Sequence, residues 1–275
     1  GLGDVYKSPS PTPAVELLRV DALPVPSIAQ REATSDICTL PDVTAAVAAG
    51  DDLAVIEAAG GGEAFRAAVA ADAAPCIALD DPARLWVVVN KARPYVPIDY
   101  WPDGLVAPEG VQNRSGGSLR SDAASALSSL VRAARDAGVG ELAMESGFRS
   151  YTTQVTSYGN QVSMRGVEGA DLVSARPGFS EHQSGLTADV VACSGGCGGL
   201  DDLAATPQGE WLATHAWEHG WIVRYEEGET ETTGYLPEPW HLRYVGTALA
   251  EAYHQGGWKS FEAFFGLDPA PGYVG

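Results

Sequence analysis

Apolar residues recur at helical spacing between residues 118 and 138, where Leu119, Ala123, Ala126, Leu127, Leu130 and Ala134 mark one face. Ser118 or Ser121 can cap its start and Gly138 can stop it, so the pattern predicts a helix. Upstream, RLWVVVNK (84–91) is an unbroken apolar run rich in β-branched residues, which predicts a strand leading into a proline-containing loop. Downstream, ELAMES (141–146), turning at Gly147, GLTADVVA (185–192), WIVRY (221–225) and WHLRYVG (240–246) read as strands. Between them SYTTQVTSYGNQV (150–162), EGADLVSA (168–175) and PQGEWLATHAWEHG (207–220) carry helical patterns, and a last helix is expected near 247–256. Helices grouped around a few strands, without βαβ alternation or an internal repeat, predict an α+β fold. The N-terminal part differs. Residues 1–41 hold the proline-rich stretches SPSPTPAVE and ALPVPS and read as extended, while the alanine-rich 42–75 is broken at Gly50 and at Gly60–Gly62, predicting two or three short helices. The expected organisation is an accessory region over 1–80 and a main domain over 81–275.

At 275 residues and 45% hydrophobic content, the chain can bury a sizeable core. Its 17 Lys and Arg against 36 Asp and Glu give a net charge of −19, which repels phosphate backbones and anionic lipid. Nucleic acid is therefore excluded as an expected partner, and the charge otherwise reads as a solvated surface. No run approaches the ~18–20 apolar residues of a membrane span, and the start lacks the basic and apolar regions of a signal peptide. A start at Gly1 is what a mature, trimmed form gives. The four cysteines fall into two local pairs, Cys38 with Cys76 and Cys193 with Cys197. A metal knuckle or a redox pair at Cys193/Cys197 is the alternative; the disulfide reading is preferred, and it implies an oxidising, extracytoplasmic compartment. Asn113-Arg114-Ser115 matches a glycosylation acceptor and is given no role.

The chemistry concentrates in PGFSEHQSGLTADV (177–190), where six residues separate His182 from Asp189 in a polar stretch. A hydrolytic zinc site needs three protein ligands and an open position. Of the five histidines, His241 follows Glu238 by three residues in YLPEPWHLRYVG, and Pro239 disfavours a helix there, so the pair belongs at a turn or strand end. His182, Asp189 and His241 then form a ligand set with Glu238 as base. A rival is His215-Ala-Trp-Glu-His219, which matches the H-x-x-E-H pattern of inverted zincins. Against it, no separate downstream acidic ligand stands out, and the segment also needs these residues for packing.

SGFRSYTTQ (146–154), ARPGFSEHQSGLTADV (175–190), GWIVRY (220–225) and TGYLPEPWHLRYVG (233–246), in this order, resemble the signature segments of the VanY-related D-alanyl-D-alanine carboxypeptidases (peptidase family M15B). That family belongs to the lysostaphin, D-Ala-D-Ala peptidase and hedgehog superfamily. The likeness spans roughly 84–262 and includes S-x-H-x6-D and E-P-W-H; Thr187-Ala188 departs from the more usual Ala-Val. The resemblance implies a small antiparallel sheet flanked by helices and one Zn²⁺ held by His182, Asp189 and His241. It implies Glu238 as general base, Arg149 facing the scissile carbonyl, and Ser180, Gln154 and Trp240 lining the substrate pocket. The activity implied is removal of the terminal D-Ala from peptidoglycan stem or precursor peptides ending in D-Ala-D-Ala, by a secreted or envelope-facing monomer. An L,D-carboxypeptidase or endopeptidase acting on the same polymer is the alternative, and a zinc-stabilised, non-catalytic wall-binding module is another.

Overall fold

The structure, a computed structural model, describes residues 35–274. The extended reading of residues 1–34 lies outside them. A five-stranded sheet organises the rest. Its strands are β2 (Gln112–Asn113), β4 (Glu141–Ser146), β5 (Thr187–Cys193), β6 (Trp221–Tyr225) and β7 (Glu238–Tyr244), in the order β2-β4-β5-β7-β6. β2 runs parallel to β4 and every other pairing is antiparallel, while β1 (Leu105–Val106) and β3 (Leu119–Arg120) form a separate small ribbon. Among the described residues, no helix is long and apolar enough to cross a membrane.

Period-2 alternation sends alternate strand side chains into different apolar clusters, a small one of Ala143, Val191 and Cys193 and two large ones. One large cluster joins Leu142 and Met144 of β4, Val190 of β5, Trp221 of β6 and Leu242 of β7 to the face of α4 (Ser121–Asp136) that carries Leu127, Leu130 and Ala134. The other joins Ile222 of β6 to α8 (Thr247–Gln255), to α9 (Phe261–Phe264) and to α1 (Pro41–Ala49), α2 (Asp52–Ala58) and α3 (Gly62–Ala70). Val55, Ile56 and Phe65 of the N-terminal helices are almost fully buried there beside Leu249 and Phe261. The boundary expected at residue 80 runs through this cluster. At Gly62 the backbones touch: a Cβ would lie 2.0 Å from the Ala248 carbonyl oxygen. The disulfides are Cys38–Cys76 and Cys193–Cys197, the local pairing.

Two sequence expectations are corrected. Residues 84–91 are not a strand: the stretch is buried, but only Asn90 makes a bridge, to Arg93. Side chains meet part of its backbone instead, since Arg243 Nη2 donates to the carbonyls of Leu85 and Val87 (2.9 and 2.8 Å) and Asp52 accepts from the Leu85 N–H at 2.7 Å, while the Val88 N–H donates to the Leu79 carbonyl. An apolar run thus marks burial, which periodicity cannot separate from strand pairing. Neither serine caps α4, whose N-cap is Arg120 without a side-chain bond. The helix α5 (Tyr151–Asp171) covers the first predicted helical stretch and only the start of the second, ending before Leu172, and it is broken at Gly166, where φ is 73°.

Candidate metal centre

The site lies where β5 and β7 pair. Asp189 and His241 stand directly opposite each other in register, and His182 enters from the single 3₁₀ turn Glu181–Ser184 that precedes β5. Ser180, which leads into that turn, is buried. Two irregularities shape the surroundings, as bulges near sites commonly do. The β4–β5 register shifts between Met144 and Ser146, bringing Ser146 opposite Asp189. The β6–β7 register shifts in the stretch containing Pro239, which has no N–H to give the ladder, and the Tyr225 ring ends 4.7 Å from that of His241.

His182 Nε2 lies 3.2 Å from Asp189 Oδ2, and His241 Nδ1 lies 3.5 Å from Asp189 Oδ1 and 3.1 Å from Glu238 Oε2. One ligand atom each from His182, Asp189 and His241 falls within 4.8 Å of the others, and all three residues are buried. The remaining ring nitrogens are already engaged: His182 Nδ1 with the Gly147 carbonyl at 2.8 Å, His241 Nε2 with Glu181 Oε2 at 3.3 Å. Donating outward through those nitrogens leaves each imidazole a lone pair aimed at Asp189, the arrangement metal-binding histidines use. Asp189 Oδ1 is buried without a hydrogen-bond partner. Two inward lone pairs and an orphaned carboxylate oxygen fit a divalent cation.

The electrostatics follow the same lines. Burial opposes ionisation of Asp189, but His182, His241 and Arg149 outweigh it and hold the pKa below the usual carboxylate value. Burial keeps His182 below the ordinary imidazole value despite Asp189. Burial would also lower His241, yet its bonds to Glu181 and Glu238 and the Asp189 charge push it up to about 9.

Arg149 stands at the rim of the same cavity of about 490 Å³, with Ser180, Glu238, Trp240, Tyr225 and Tyr235 also in its wall. It donates from Nη1 to Gln154 Oε1 and from Nη2 to Ser146 Oγ, each at 3.0 Å. Gln154 is 1% exposed and bonds the Ala175 carbonyl on its far side. It therefore stands behind Arg149, where pocket lining was expected.

Comparison with known proteins bears on this arrangement. The sequence model of the family described as "VanY: D-alanyl-D-alanine carboxypeptidase" matches residues 116–247. The putative carboxypeptidase YodJ of Bacillus subtilis (strain 168) is 37% identical over 180 residues, 63% of this chain and 64% of that protein. The structure of the LdcB LD-carboxypeptidase, solved for peptidoglycan recognition, shares 35% identity with a TM-score of 0.62, over 67% of this chain and 87% of that one. A variant of the vancomycin-resistance D,D-pentapeptidase VanY, solved with Zn(II), shares 27% with a TM-score of 0.55, over 64% and 96%. The chain belongs to the VanY-like D-alanyl-D-alanine carboxypeptidase family. As a VanY-like protein it spans 64% of the length of its Bacillus relative.

The rival histidine pair is not assembled. The helix α6 (Pro207–His215) ends at the first histidine and continues as a 3₁₀ turn, His215 stacks on Trp211 with Nδ1 at the Trp211 carbonyl, and His219 Nδ1 meets Ser129 Oγ at 3.1 Å. Sequence reasoning missed Glu181. This carboxylate, 1% exposed, accepts from Arg224 Nε (2.9 Å) and Arg243 Nη1 (2.8 Å) through Oε1, and Arg224 is also paired with Glu262. Burial would raise its pKa, but the two guanidiniums hold it far below the usual range. The available signal was an arginine within each of two apolar strands, because a buried cation requires a buried anion.

Proposed function

We propose that this chain is a zinc carboxypeptidase that removes the terminal D-Ala from peptidoglycan stem peptides, acting outside the cytoplasm. The observation that carries the reading is the convergence of His182, Asp189 and His241 with Glu238 3.1 Å from His241 Nδ1, in a cavity that also presents Arg149. The Zn(II)-bound VanY relative supports the choice of metal. When bound, zinc supplies Lewis acidity and lowers the pKa of water toward ~7. Glu238, partly exposed to the cavity, accepts the proton of the attacking water and returns it to the leaving amine of D-alanine. Arg149 points its guanidinium at the substrate carbonyl as negative charge develops there; such a donor is typically worth ~3–4 kcal/mol. Gln154 and Ser146 fix its plane, so little reorganisation accompanies the reaction. The two disulfides suit an oxidising compartment.

A second reading, L,D-carboxypeptidase action on a tetrapeptide, is favoured by the higher identity and TM-score of the LdcB structure. A binding module has no use for a base and an oxyanion donor. The test is D-alanine release from pentapeptide and tetrapeptide substrates, with and without chelator, beside Glu238→Gln. Pentapeptide cleavage that chelator abolishes, together with an inactive variant that keeps its metal, is expected. Tetrapeptide-only cleavage would select the second reading, and a fully active variant would remove Glu238 as base.

A further inference from the structure

The Cys193–Cys197 disulfide takes no part in the proposed chemistry, but the loop it closes leads into the wall of the catalytic cavity. Leu200, half-buried at the start of the 3₁₀ turn Leu200–Ala205 that follows this loop, lines the cavity with His182, Asp189 and Glu238. Period-2 alternation puts Asp189, Val191 and Cys193 on one face of β5. The face that carries the metal ligand therefore continues along the strand, and further along it is covered. Val191 and Cys193 cluster there with Ala143, which stands opposite Val191 in register, and Cys197 and Leu200 pack against the three. Four of the seven residues 193–199 are glycine, which has little preference of its own for one conformation. The loop is fixed by other means: the disulfide, the Gly198 N–H donating to the Ala192 carbonyl at 2.9 Å, and the buried Gln208, whose Nε2 donates to the Cys193 carbonyl (3.3 Å) and Ser194 Oγ (3.2 Å).

The strand register orients this wall. β7 runs antiparallel to β5 with His241 opposite Asp189, so Glu238, three residues before His241, lies toward the Val191 end of β5. Arg149 lies toward the other end, since β4 finishes with Ser146 opposite Asp189 and the Arg149 N–H bonds the carbonyl of His182, which precedes β5. The metal ligands thus separate Arg149 from Leu200, with Glu238 on the Leu200 side. A base that returns its proton to the leaving amine places the released residue on that side as well. Val191 lies about 7 Å beyond Asp189 along the strand. An extended peptide takes ~3.3–3.6 Å per residue, so this interval holds one residue with its terminal carboxylate and stops a chain that continues. We propose that Leu200, held in place by the disulfide-closed loop, is the specificity-determining wall that limits cleavage to the last residue of a peptide. Assigning this end to the leaving group rests on the proposed function; the covering of β5 by Leu200 does not.

The test compares a peptide ending in D-Ala-D-Ala with the same peptide extended by Gly-Gly. Cleavage of the D-Ala–D-Ala bond is followed in the zinc-loaded full chain, and binding of both peptides is measured by calorimetry in its zinc-loaded Glu238→Gln variant, where turnover does not interfere. Leu200→Ala lowers the wall with the disulfide intact, and Cys193→Ala with Cys197→Ala releases the loop; a thermal melt and zinc content accompany each. The parent is expected to favour the free end in both readouts, and each variant to cut that preference by about tenfold or more with zinc content unchanged. A merely structural role would weaken both peptides alike and leave their ratio where it was. Equal handling of the two peptides by the parent, binding of neither at millimolar concentration, or a preference that folded Leu200→Ala retains would overturn the proposal. A binding preference that Leu200→Ala abolishes, with no D-alanine released from either peptide, would overturn the catalytic reading and leave the wall standing.

Discussion

Replacing Glu181 by Gln tests how the protein presents His241 to a metal. Both arginine bonds use Oε1, and His241 Nε2 meets Oε2. If the amide keeps its oxygen toward the arginines, its NH₂ faces His241 Nε2, and that nitrogen must become the acceptor. The proton then moves to Nδ1, the nitrogen facing Asp189 and Glu238, and the inward lone pair disappears. If the amide turns round, its NH₂ meets two guanidiniums. Removing such a partner of a metal-binding histidine typically costs 10–100-fold in affinity, ~1.4–2.7 kcal/mol. The fold should survive, because Arg224 retains Glu262 at 2.7 and 3.0 Å and Arg243 retains the carbonyls of Leu85 and Val87. The stability loss is therefore expected below the ~3–5 kcal/mol of a fully stranded buried charge. Zinc affinity is read by competition with a chromophoric chelator, beside a thermal melt. Glu262→Gln serves as the control, since it removes one charge from the same network without touching His241. A folded Glu181→Gln protein that binds zinc as tightly as the parent, or an equal loss in the control, would refute the reasoning.

Metal binding at neutral pH should release about one proton, from His241 at about 9, while His182 is already neutral; calorimetry in two buffers of different ionisation enthalpy counts it. In the metal-free protein the folded pKa of His241 lies above the unfolded ~6.5, so its contribution is fully present below pH ~6.5 and is lost as pH rises through about 9. His215→Ala and His219→Ala should keep full metal content by elemental analysis, since both rings are engaged with Trp211 and Ser129; loss of metal would revive the inverted-zincin arrangement. Gly62→Ala should destabilise by ~1–3 kcal/mol, because its Cβ would meet the Ala248 carbonyl and force α3 from α8; an unchanged urea midpoint would contradict this.

Where the fold was legible, one residue period answered to one physical environment. The face of α4 repeats with the helix because its other side is wet, and β4, β6 and β7 lie where their apolar runs predicted strands. Residues 84–91 misled because both faces of the run are covered and Arg243, more than 150 positions away, satisfies its carbonyls, which no local pattern reports. The candidate site shows the same division. His182, Asp189, Glu238 and His241 were readable from spacing and family likeness, whereas Glu181 was not, although it adjoins His182 in sequence. Its meaning depends on Arg224 and Arg243, 43 and 62 positions away. Yet those arginines were themselves anomalous, each fully buried within a strand otherwise rich in apolar residues. Desolvating a guanidinium without an anion is too costly to persist, so each arginine implied a carboxylate inside the fold. Glu181 meets both and also reaches His241, which ties the charge balance of the core to the orientation of a candidate metal ligand.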